Sequence, residues 1–86
     1  MSLYYSPNLP EEFRFLAMLH NIGAISPDKA LAVDEIVKWT TMNVSTVQGH
    51  LGRLIELGYI KTFNANGMDK YHLSVDGIRK VLTFYS

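Results

Sequence analysis

Cysteine is absent from the chain, which excludes disulfides, thiol nucleophiles and zinc sites of the usual cysteine types and accords with a reducing, cytoplasmic setting. Net charge is absent as well. Eight Lys and Arg balance eight Asp and Glu, whereas a nucleic-acid-binding domain usually carries a basic excess. No apolar run approaches the ~18 to 20 residues of a membrane span. The opening stretch, MSLYYSPNLPEE, lacks the basic flank and apolar core of a signal peptide. The expectation is a soluble protein that stays where it is made and touches no membrane. Catalytic patterns are missing too: the Ser, His and Asp residues form no nucleophile motif. His20, His50 and His72 are dispersed, with no carboxylate at a ligand spacing. No enzyme, metal site, cofactor or small-molecule effector is read from the sequence.

What is present is apolar surface. Of 86 residues 48% are hydrophobic and 19% charged, the balance of one compact domain spanning residues 1–86 rather than of a disordered tail. A chain of this size buries roughly 60% of its unfolded surface, enough for a core but little room for a deep cavity. The charges, balanced overall, are divided along the chain. Residues 1–35 hold Glu11, Glu12, Asp28, Asp34 and Glu35 against Arg14 and Lys29; residues 36–86 hold Lys38, Arg53, Lys61, Lys70, Arg79 and Lys80 against Glu56, Asp69 and Asp76. An acidic half and a basic half hint at a polyanionic partner, although solvated charges on a small domain also divide this way by chance.

Periodicity predicts the elements. A first helix starts at Pro10, with Glu11 and Glu12 where the helix dipole favours acids. Phe13, Leu16, Ala17 and His20 form its stripe, Phe15, Leu19 and Ile22 widen it, and Gly23 ends it. The stripe makes His20 a satisfied interior histidine. SPDK at 26–29 is a turn, and ALAV at 30–33 a short strand. A second helix of about two turns begins at Asp34 and carries Ile36, Val37 and Trp39. Asn43 caps the third, with Ser45 a second candidate because Ser45 and Gln48 have capping-box spacing. This third helix runs from Val44 to Leu57 and stops at Gly58. Val44, Val47, Leu51, Leu54 and Ile55 gather on its inner side. Ser45, Thr46, Gly49, Gly52, Arg53 and Glu56 face outward, with Gln48 and His50 at the edges. Two glycines on an outward face make no room for the domain's own core.

Asn66-Gly67 is the signal for a two-residue hairpin turn. Counting back from it pairs Phe63 with Lys70, Thr62 with Tyr71, Lys61 with His72 and Ile60 with Leu73. One face, Ile60, Thr62, Tyr71 and Leu73, suits a core; the other, Lys61, Phe63, Lys70 and His72, is basic with an aromatic. Ser74 then caps a last helix carrying Ile78, Val81, Leu82 and Tyr85 at i, i+3, i+4, i+7 spacing. Tyr4, Tyr5, Phe13, Phe15, Phe84 and Tyr85 leave aromatic surface near both chain ends, read as core or as an interface.

The stretch VDEIVKWTTMNVSTVQGHLGRLIELGYIKT, followed by YHLSVDG, resembles the winged helix-turn-helix domain of MarR- and ArsR-type transcription regulators. Ile36 and Val37 look like the buried pair of the positioning helix, Met42 like the apolar turn residue and Asn43 like the cap. Thr46 and Val47 are similar to the family's TV step, and LGRLIELGYI to its leucine-rich end. Thr41 stands where many members have glycine. The resemblance covers about residues 10–85. It implies an α+β fold: a three-helix core with a helix-turn-helix at about 34–57, a two-stranded β-hairpin wing at about 59–74, and a C-terminal helix. It further implies a small transcriptional regulator on double-stranded DNA, with the third helix in the major groove and the wing on the phosphate backbone. The residues expected at DNA are Asn43, Ser45, Thr46, Gln48, Gly49, Arg53, Lys61, Lys70 and His72. A homodimer through the first and last helices is the expected assembly. The alternative is a winged-helix module whose third helix docks on another protein without binding DNA.

Overall fold

The computed structural model describes residues 8–85. Four α-helices and one hairpin follow in the order α1 (Glu11–Asn21), α2 (Val33–Thr40), α3 (Val44–Glu56), β1 (Ile60–Ala65), β2 (Met68–Leu73) and α4 (Val75–Leu82), with 3₁₀ turns at Pro27–Lys29 and Thr83–Tyr85. Tyr4 and Tyr5 lie outside the described residues.

Pro10 is the N-cap of α1 rather than its first helical residue, with extended ψ 148°. Glu11 and Glu12 form the first turn. Phe15, Leu16, Ala17 and Leu19 are fully buried, and Ile36, Val47, Leu54 and Val81 close over them from α2, α3 and α4. His20 departs from the satisfied interior histidine expected: it is half-buried, and its buried Nδ1 has no hydrogen-bond partner among the described residues. At the other end of α1 the Arg14 guanidinium donates to the Leu9 carbonyl at 2.9 Å.

The predicted strand at 30–33 shrinks to one residue. Leu31 exchanges both backbone hydrogen bonds with Tyr71, at 2.9 and 2.8 Å, but Ala32 already caps α2. The Glu35 carboxylate accepts the Ala32 N–H at 2.9 Å, so the chain turns into the helix before a second strand pair forms.

The turn between α2 and α3 is tight. Thr41 caps α2 in the left-handed region, φ 59° and ψ 16°, which a β-branched side chain seldom adopts. Asn43, not Ser45, caps α3: its side-chain oxygen accepts the Thr46 N–H at 2.8 Å and the Ser45 hydroxyl at 3.0 Å. At the far end the Gly58 N–H reaches the Ile55 carbonyl at 3.0 Å and the Tyr59 N–H reaches that of Leu54 at 2.9 Å. This is the Schellman closure, which needs the left-handed φ of +82° found at Gly58. It turns the chain directly into β1.

The hairpin has the register counted from its turn. Ile60 pairs with Leu73, Lys61 with His72, Thr62 with Tyr71 and Phe63 with Lys70. Asn66 and Gly67 both have positive φ, 54° and 83°, as a two-residue turn of primed type requires. At the base of the hairpin the Leu73 N–H donates to Ala24 at 2.8 Å, and the Ser74 N–H to Tyr59 at 3.0 Å. Ser74 then caps α4 by accepting the Gly77 N–H at 3.0 Å, while its hydroxyl donates to the Gly58 carbonyl at 2.6 Å. Tyr85, expected on α4, falls in the 3₁₀ turn that follows.

Candidate nucleic-acid interface

α3 presents the surface from which the site is built. Val47, Leu51 and Leu54 face inward and are buried; Ser45, Gln48, Gly49, Gly52, Arg53 and Glu56 are exposed, and Thr46 is half-buried. From Asn43 to Arg53 the sequence contains no acidic residue, so the first two turns and more of α3 carry no charge that would repel a phosphate. A Cβ added at Gly49 or Gly52 would meet nothing within 4 Å. Both glycines therefore border open space, and no packing constraint among the described residues calls for them.

Two expectations for the inner side of α3 need correction. Val44 and Ile55 were expected in the core but are 49% and 40% exposed. Val44 is the first helical residue, and both sit on the flank of the inward stripe beside Gln48. That flank is apolar and open.

The cation expected to be free on α3 is paired. Arg53 Nε lies 3.5 Å from Glu12 Oε2. One turn earlier, His50 Nε2 lies 3.3 Å from Glu11 Oε2, and the His50 ring packs against Phe15 with 5.1 Å between centroids. The acidic first turn of α1 thus runs along one flank of α3, and part of the charge division in the sequence is cancelled by contact in the fold. Asn43, too, has its side-chain oxygen engaged by the cap. Its amide nitrogen is the part left to meet an outside group.

On the hairpin, Lys61 and Phe63 are exposed and Lys70 is half-buried. His72, expected on the same open basic face, is only 7% exposed. Its Nδ1 is bonded to the Leu73 carbonyl at 2.8 Å, and it lines a groove of about 430 Å³ with Ile25, Phe63, Val75 and Ile78. Pairing parity puts His72 on the face of Lys61 and Lys70. The loop from Gly23 to the 3₁₀ turn then covers the base of that face, which a count of alternation cannot reveal. Thr62, placed on the core face, is exposed on the outer strand β1, whereas its pair partner Tyr71 on β2 is half-buried and still bonded to Leu31; Ile60 and Leu73 at the base are buried. At the tip the Asn64 amide donates to Asp69 at 2.9 Å, a bond within the wing.

The structure brings Ser45, Gln48, Gly49 and Arg53 together on α3 and leaves Lys61 and Lys70 on the hairpin. His72 does not join them. Among the described residues no group of three or more His, Cys, Asp or Glu is arranged to hold a metal ion, and no helix is long and apolar enough to cross a membrane.

The same architecture occurs in solved structures. The DNA-binding TubR fragment from Clostridium botulinum is similar with a TM-score of 0.72 at 22% identity, over 84% of this chain and 90% of that one. A MarR family protein from Bacillus stearothermophilus has a TM-score of 0.72 at 20% identity over 96% of this chain. Bordetella bronchiseptica BpsR, whose DNA binding is regulated by 6-hydroxynicotinic acid, has a TM-score of 0.69 at 23% identity over 94% of this chain. The chain spans 55% and 57% of the latter two proteins. No protein-family model matches it, and no curated protein does. The α+β winged-helix fold read from the sequence is the fold of the chain, with α2 and α3 as the helix-turn-helix and β1–β2 as the wing.

Proposed function

We propose that the protein is a small transcriptional regulator that binds double-stranded DNA. The observation that carries this reading is the exposed outward face of α3 from Asn43 to Arg53, to which α3 itself contributes no acid, on the second helix of a helix-turn-helix and beside a wing bearing Lys61 and Lys70. The first turns of α3 enter the major groove, Ser45, Thr46 and Gln48 meet base edges or phosphates, and Gly49 lets the backbone come close. Lys61 and Lys70 meet phosphate from the wing. The DNA-binding fragment and the regulators of the same fold support the reading by analogy.

A two-fold site needs two copies of α3 about one DNA turn, ~34 Å, apart. A homodimer supplies them, through α1 and α4, where Val75 and Leu82 stand exposed. The protein works in the cytoplasm as a binding protein, without cofactor or catalysis. A second reading, in which α3 docks on another protein, is favoured by the exposure of Val44 and Ile55 beside Gln48.

Titrating the full chain into a labelled random-sequence duplex across a salt series decides between the readings. DNA binding predicts micromolar affinity at low salt that falls as salt rises, because phosphate contacts release counterions. A chain that shifts no duplex at low salt and micromolar concentration is not a DNA-binding protein. Sedimentation equilibrium with and without DNA tests the dimer, and a monomer under both conditions rejects it.

A further inference from the structure

The pairing of α1 with α3 bears on how strongly such a domain would hold DNA. Arg53 is the only Lys or Arg in α3, and its guanidinium is already within 3.5 Å of a carboxylate, that of Glu12. Glu11 meets His50, the other titratable nitrogen of that flank, at 3.3 Å. Favourable interaction with the helix dipole explains acids in the first turn of α1. It does not explain why both of them are directed onto consecutive turns of α3. Nor does stability account for the Arg53 pair, since Arg53 is 60% exposed and a pair with one partner in solvent contributes little to folding. Arg14, the remaining charge nearby on α1, is turned away and donates to the Leu9 carbonyl.

We propose that Glu11 and Glu12 are affinity-setting residues, acting as an internal counter-charge that DNA phosphate must displace from α3. This rests on the DNA-binding reading above. A phosphate that takes Arg53 exchanges one anionic partner for another and leaves Glu12 uncompensated beside the DNA, so the exchange gains less than a new contact would. Non-specific binding, which is almost wholly phosphate contact, is suppressed most. Base contacts from Ser45 and Gln48 are left to decide where the protein stays. The role assigned to Glu11 and Glu12 is positioning and electrostatic: they act through His50 and Arg53 and need not touch DNA themselves.

The test is a double-mutant cycle on the full chain, using anisotropy of a labelled random duplex across a salt series. The proteins are the parent, Glu12→Gln, Arg53→Ala, the two combined, and Glu11→Gln. Glu12→Gln should tighten binding roughly three- to tenfold at low salt and steepen the salt dependence by about one counterion. In the Arg53→Ala background the same change should have an effect of less than about twofold, because the pair is already broken. Glu11→Gln, whose partner His50 carries charge only when protonated, should tighten binding less than Glu12→Gln, and tightening equal to or greater than that of Glu12→Gln overturns the counter-charge. Thermal melts check that each variant is folded. Glu12→Gln binding equal to that of the parent overturns the counter-charge while leaving the DNA reading intact. So does tightening that persists undiminished without Arg53, which would be long-range charge alone. Absence of binding by every protein in the set overturns the DNA reading and the counter-charge with it.

Discussion

A Cβ on Gly77 would collide with the carbonyl oxygen of Tyr59 and lie 3.0 Å from its carbonyl carbon. The first turn of α4 therefore rests directly on the backbone leaving α3, and the Ser74 N–H bonds that same carbonyl at 3.0 Å. The obstacle is main chain on both sides, so neither part can yield cheaply. Gly77→Ala should destabilise the fold by about 2 to 3 kcal/mol, measured by chemical denaturation. A loss below about 0.5 kcal/mol would show that α4 can slide away from Tyr59 without cost.

Thr41 poses the opposite problem, a side chain where the backbone favours none. Its φ of 59° costs an L residue roughly 1 to 2 kcal/mol relative to glycine, partly offset by the greater chain entropy glycine loses on folding. Thr41 is exposed, and its hydroxyl makes only a local bond, to the Thr40 carbonyl. Thr41→Gly should stabilise the domain by about 0.5 to 1 kcal/mol. A lower melting temperature for the variant would refute the strain.

These two positions mark how far the sequence could be read. Caps, helix ends and the hairpin register were legible because each depends on residues within one turn of one another: Asn43 with Thr46, Gly58 with Ile55, Asn66-Gly67 with the strands on either side. The burial of His72 and the pairing of Arg53 were not. The first depends on the loop beginning at Gly23, the second on the start of α1, and both are set by how α1 lies across the later elements. Charge division along the chain points, as sequence, to a polyanionic partner, and does not show that part of it is cancelled by contact between α1 and α3. The exposure of Val44 and Ile55 is not legible because a helical stripe gives an inward direction but not how wide a strip of it the neighbouring elements cover. The strand predicted at 30–33 is a single bridge residue for a related reason: a short apolar run is equally consistent with one bridge residue followed by a helix cap.

The 3₁₀ turn offers a pH-dependent check. The Asp28 carboxyl is held below the ordinary aspartate range, first by the Ser26 hydroxyl, which donates to it at 2.6 Å, then by its own backbone N–H and by Lys29. A folded-state pKa depressed in this way contributes stability that is present above the unfolded aspartate value, about 3.9, and lost as pH falls through the folded value. Ser26→Ala should return the Asp28 titration toward the ordinary range in carboxyl NMR. Any stability difference between the two proteins should be present at neutral pH and shrink at low pH, the small size of the effect following from full exposure of the group.

Gly49 separates the fold from its use. Its Cβ position is open, and glycine within a helix costs about 1 kcal/mol relative to alanine, so Gly49→Ala should raise stability by up to that amount, as should Gly52→Ala. Among the described residues nothing lies within 4 Å of the Cβ position at Gly49, and Gly49→Leu should fold. If α3 meets DNA through its first turns, however, a leucine projecting from the outward face at Gly49 holds the backbone away from the groove and should weaken binding at least tenfold, whereas Gly49→Ala should bind within about threefold of the parent. Gly52 lies farther from the N-terminus of α3, so leucine there should cost less. Melts and duplex titrations on the same preparations settle the point: a folded Gly49→Leu protein that binds DNA as tightly as the parent removes the first turns of α3 from the interface, whatever else the domain then uses to reach DNA.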